Sequence, residues 1–86
     1  MFGWEMRSRR KRMCELAGML KEKGKGTAEE LQTLLTRFSI KVGITEEKAR
    51  EYLEQFEKCN LILFKYGAET WMYNPEIEHE IFGIII

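Results

Sequence analysis

Five cations crowd together near the start of this 86-residue chain: Arg7, Arg9, Arg10, Lys11 and Arg12. Such a cluster suits phosphate binding, or an arm laid along the minor groove of a duplex. It can also be a solvated helix start, but cations there oppose the positive end of the helix dipole, which favours a partner. Other candidates for chemistry are sparse. His79 lies in Glu78-His79-Glu80 and lacks a second histidine at zinc-protease spacing. Cys14 and Cys59 form no CxxC pair, and one histidine cannot complete a zinc site with them. They read as small core residues, as an intrachain disulfide or as an intersubunit one. Gly24-Lys25-Gly26 is too short for a phosphate loop. With no Ser/His/Asp set and no metal cluster, the expectation is a non-enzyme without cofactor, metal or small-molecule substrate.

The elements that must carry these residues follow from the apolar spacing. Met13, Leu16, Ala17 and Leu20 make one helical stripe, which predicts a first helix from about Arg7 to Lys23, ended by Gly24-Lys25-Gly26. Residues 1–7 then form an N-terminal arm. Thr27 with Glu30 is a capping box, and Leu31, Leu34, Leu35 and Phe38 give the second stripe, ending near Ser39. Gly43-Ile44-Thr45 is a tight turn, with Thr45 as the N-cap of a third helix. Ala49, Tyr52, Leu53 and Phe56 form its apolar face, and Asn60 is its expected C-cap.

After Asn60 the period shifts from about 3.6 to 2. Leu61 to Tyr66 and Thr70 to Tyr73 are β-prone runs around Gly67-Ala68-Glu69, the pattern of a β-hairpin. Trp71 and Tyr73 read as packing residues of that hairpin rather than as base-stacking ones. Residues 76–86 form a C-terminal extension.

Helix, helix, turn, helix, hairpin is an informative order. Thr27-Ala28-Glu29-Glu30-Leu31, Val42-Gly43-Ile44-Thr45, Ala49, Tyr52-Leu53 and Phe56 through Ile62 resemble the winged helix-turn-helix DNA-binding superfamily, in its small prokaryotic, archaeal or viral regulators. The resemblance covers roughly residues 8–75, with Asn60-Leu61-Ile62 where the family often has Gly-Leu-Ile. It implies a mainly α fold with a small β-hairpin, one winged-helix domain over residues 1–86. It also implies a third helix whose polar face enters the DNA major groove. The base-reading residues would be Thr45, Glu47, Lys48, Arg50, Glu51 and Glu54. The phosphate-binding residues would be Arg7, Arg9, Arg10, Lys11, Arg12 and Lys65, and the wing tip Tyr66 to Glu69.

One departure matters. Residues 46–58 hold five Glu against three Lys or Arg, and Glu on a reading face repels phosphate unless it accepts from a cytosine amine or orients an arginine. Glu47 and Glu51 flank Arg50 and suit the latter role. Alternatively these Glu solvate the helix and pair at i,i+4, as in Glu54–Lys58. An acidic third helix also suits a protein-binding module of the same fold.

The charge is divided along the chain. Residues 1–26 carry eight Lys or Arg against three Glu, and residues 27–86 six against eleven. That is a basic start on an acidic body. Acidic residues are all Glu, and amide side chains are few, a weak sign of heat adaptation. No apolar run is long enough to span a bilayer and no signal peptide is visible, so a cytoplasmic location is expected, nucleoid-associated or in a host cytoplasm. Phe2 and Trp4 ahead of the basic run, and Ile81, Phe82 and Ile84 in the tail, have no place in solvent. They either fold onto the core or bury at a subunit interface; both ends together predict a homodimer, and hence a near-palindromic duplex site.

Overall fold

The computed structural model describes the backbone of residues 2–78 and the side chains of residues 9–78. Its elements are α1 (Phe2–Lys23), β1 (Lys25–Thr27), α2 (Ala28–Val42), α3 (Glu46–Lys58), β2 (Ile62–Lys65) and β3 (Thr70–Tyr73), followed by a 3₁₀ turn, Pro75–Ile77. The expected mainly helical fold with its β-hairpin wing is present.

Each helix buries the stripe that defines it. Met13, Leu16, Ala17 and Leu20 of α1 meet Leu31, Leu34, Leu35 and Phe38 of α2 and Ala49, Tyr52 and Phe56 of α3. Leu61, Ile62, Trp71 and Tyr73 of the hairpin close the same core, and Leu53 packs at its edge, partly buried. Full burial of one such large side chain stabilises by roughly 1.5–3 kcal/mol, so these contacts, not helix propensity, hold the helices. Phe38 and Tyr52 meet edge to face, with ring centroids 6.4 Å apart.

The two N-caps match the sequence. Thr27 accepts from the Glu30 N–H at 3.1 Å while the Glu30 carboxylate accepts from the Thr27 N–H at 2.9 Å. Thr45 accepts from the Lys48 N–H at 3.1 Å. Gly43 ends α2 in the left-handed region, φ 74°, so the helix runs to Val42, three residues beyond Ser39. Asn60, at φ 67°, is the left-handed residue after α3, while Cys59 is the cap itself. Asn tolerates this conformation better than other residues with a Cβ, so it can stand where glycine is the usual choice.

Two elements depart from expectation. Residues 2–7 are not a separate arm: they continue α1 back to Phe2. No proline interrupts them, and extending an existing helix costs little once it is nucleated. Second, Lys25 and Gly26, read from the sequence as part of a helix stop, form a strand together with the N-cap Thr27. The sheet order is β1-β3-β2, antiparallel throughout, with Gly26 opposite Trp71 and Thr27 opposite Thr70. A Cβ on Gly26 would lie 3.1 Å from Glu30 Oε1 and 3.2 Å from Trp71 Nε1, so glycine lets β1 approach the indole.

Candidate nucleic-acid interface

The α2–turn–α3 unit sets out the candidate reading face. Because α3 turns Ala49, Tyr52 and Phe56 inward, the complementary positions face solvent. Thr45, Glu47, Lys48, Arg50, Glu51 and Glu54 are all exposed. The surface is acidic, and its cations are engaged. Lys48 Nζ lies 3.4 Å from the Glu51 carboxylate, one turn along. Arg50 does not use Glu47 or Glu51: its Nη2 donates to Gln32 Oε1 of α2 at 3.0 Å. The suggested Glu54–Lys58 pair is not formed among the described residues.

Arg50 and Gln32 stand at the rim of a cleft of about 280 Å³ between α2, α3 and β2. Leu31, Leu35, Leu53 and Phe64 line it, with Glu54, Glu57 and Tyr66 at its mouth. The Tyr66 hydroxyl donates to the Glu57 carboxylate, which docks the wing tip onto the last turns of α3. That contact, with the Glu57 charge beside it, raises the Tyr66 pKa above the usual phenol value. On the other side of the loop the Glu69 carbonyl accepts from the Ala28 N–H at 2.8 Å. The wing is therefore a four-residue turn, Tyr66 to Glu69, held at both ends, and its one cation, Lys65, is exposed beside it.

No family description, curated protein or solved structure matches this chain. The functional reading rests on the residues themselves.

The phosphate candidates divide in two. Arg9, Arg10 and Lys11 are exposed and Arg12 is half-buried, all ahead of Met13, the first core residue of α1. None of the four forms an ion pair or a side-chain hydrogen bond among the described residues, and neither does Lys65. Lys21, Lys23 and Lys41, further along the chain, pair with Glu78, Glu30 and Glu15. Since α1 begins at Phe2, the cations lie beyond its first turn, where the dipole no longer opposes them. What makes them costly together is mutual repulsion, as between Arg9 and Arg12 one turn apart. The side chain of Arg7 lies outside the described residues.

The dimer candidates cannot be placed in the same way. The side chains of Phe2 and Trp4, and all of Ile81, Phe82 and Ile84, lie outside the described residues, as does His79. Cys14 is exposed on α1, Cys59 is half-buried, and both are free thiols. Trp71 and Tyr73 are buried, at 2% and 5% exposure, and pack the hairpin on the core. Among the described residues no group of acidic, His and Cys side chains could hold a metal, and no helix is long and apolar enough to cross a membrane. Sequence reasoning missed Gln32 and the Tyr66–Glu57 contact. Each joins positions on different elements, and no periodicity within one element signals them.

Proposed function

We propose that this chain is a sequence-specific double-stranded DNA-binding protein of winged-helix type, acting as a homodimeric transcription regulator in the cytoplasm or at the nucleoid. The observation that carries it is the cationic turn Arg9-Arg10-Lys11-Arg12, unpartnered among the described residues, where Lys21, Lys23 and Lys41 of α1 and α2 each pair with a Glu. Four unpaired cations on one helix repel each other unless a polyanion meets them, and a duplex supplies evenly spaced phosphates. The division of labour follows. Arg9 to Arg12, with Arg7 and Lys65, hold phosphates and fix orientation, while the exposed face of α3 meets base edges. The reading needs neither metal nor cofactor.

Titration of the chain with duplex DNA over a salt series tests this. Binding that falls steeply as salt rises is expected; no binding at low salt overturns it. Light scattering should give twice the 10.2 kDa chain mass, and the monomer mass at working concentration overturns the dimer.

A module that binds protein is the second reading. The exposed Glu47, Glu51 and Glu54 favour it, since they suit a basic partner better than phosphate. Failure of duplex binding, with folding intact, moves the reading to this one.

A further inference from the structure

We infer that Gln32 is a positioning residue: it holds the Arg50 guanidinium so that one edge is presented to guanine in the major groove. The inference rests on the DNA-binding reading and deepens it. Arg50 is exposed on α3, and Gln32 is its one partner among the described residues, across the α2–α3 crossing at 3.0 Å. A second bond, from the Thr36 hydroxyl to the Glu46 carboxylate at 3.1 Å, ties α2 to the start of α3. The two helices are therefore fixed relative to each other where Arg50 leaves the surface.

The hydrogen-bond chemistry selects the base. A guanidinium has five N–H donors and no acceptor. Gln32 takes one hydrogen of Nη2. Either the Nη1/Nη2 edge or the Nε/Nη2 edge then keeps two parallel donors. Two parallel donors match guanine, which offers the N7 and O6 acceptors side by side; adenine offers one acceptor beside a donor. An exposed arginine loses rotamer freedom when it binds, and a partner that restrains it beforehand lowers that loss. Glu47 and Glu51 would hold the guanidinium by charge; the neutral amide orients it without cancelling its charge.

The test is selection from a duplex library with a randomised central window, run with the wild-type chain, Arg50→Ala, Gln32→Ala and Gln32→Glu. The wild type should enrich guanine at one position of each half-site. Arg50→Ala should lose that preference, by roughly 5- to 150-fold, the range of one bidentate contact. Gln32→Ala should lose a large part of the same preference at the same position while leaving the salt slope unchanged. Gln32→Glu keeps an acceptor for Arg50 and adds negative charge, so it should restore the preference while weakening binding to all sequences alike. Gln32 is exposed, so its variants should fold, which circular dichroism checks.

If Arg50→Ala loses the guanine preference and Gln32→Ala keeps it, the inference fails and the DNA reading stands. Equal weakening of all sequences by Gln32→Ala also overturns it, because a structural clamp alone would do that. If the wild-type chain binds no duplex, both fall together.

Discussion

Replacing Arg9 and Arg10 by alanine tests whether the proposed DNA affinity resides in the cationic turn of α1. Both side chains are exposed, both precede the first core residue of α1, and neither has a partner among the described residues. The substitution thus removes charge without opening a cavity or stranding an acid. Alanine is also the better helix former, so stability should stay within about 0.5 kcal/mol. The electrostatic loss can be worked out. Each neutralised phosphate contributes a slope of about −0.9 to log K against log salt, so two lost contacts flatten it by about 1.8. With parity near 1 M salt, the variant should bind about 60-fold more weakly at 0.1 M and only about 5-fold more weakly at 0.4 M. Fluorescence anisotropy with a labelled duplex at several salt concentrations reads both quantities. The loss should be the same for preferred and unrelated sequences, since phosphate contacts carry no base information. An unchanged slope would refute the assignment, whatever happened to the affinity at one salt concentration.

Three further outcomes follow from the packing. Gly26→Ala should lower stability by about 1 kcal/mol, because the new methyl would meet Glu30 Oε1 at 3.1 Å and Trp71 Nε1 at 3.2 Å. Glu30 is restrained by Lys23 and by the Thr27 N–H, so it yields little room; a chemical denaturation midpoint equal to that of the wild type would show that β1 shifts freely. Phe38→Ala removes a ring that is 0% exposed and should cost roughly 3–5 kcal/mol, much of the stability of so small a domain. Cooperative unfolding near the wild-type temperature would mean the core is not shared among the three helices. Tyr73 is pushed up to about 12 from 10.0, first by burial and then by the Glu78 charge. A raised folded pKa gives stability that is complete below the unfolded value and is lost as pH rises through the folded one. Urea melts should therefore show stability falling between about pH 10 and 12; Tyr73→Phe should reduce that fall, and an identical fall would rule out Tyr73 as its source.

What the sequence disclosed depends on whether a signal is local. The second and third helices announce themselves through their own stripes and through caps within four residues, and Thr27/Glu30 and Thr45 behave as the spacing requires. The hairpin announces itself through the change of period. β1 does not, because Lys25-Gly26-Thr27 has no strand-forming run; β3 makes it a strand by offering a free edge, and Gly26 leaves room for Trp71. The start of α1 is not legible, because nothing between Phe2 and Arg7 marks a boundary. The candidate site divides along the same line. The exposed set on α3 is the complement of a buried stripe, so it could be enumerated in advance. The Arg50–Gln32 bond depends on how two helices cross, which no single stripe encodes.

The charge of α3 limits how it can act on a duplex. Five glutamates against three cations give this helix no net attraction for phosphate, and Lys48 is already shared with Glu51. Affinity must then come from outside it, and the unpartnered cations of α1 are the largest such group among the described residues. What α3 can contribute is discrimination. Its glutamates meet phosphate repulsion when the helix approaches the groove in the wrong register, and one oriented arginine rewards the right one. On this division, changes to Arg9 and Arg10 and changes to Arg50 act on different quantities, the first on salt-dependent affinity and the second on base preference. A variant set in which the two could not be separated would mean that α3 itself anchors the duplex, which its charge forbids.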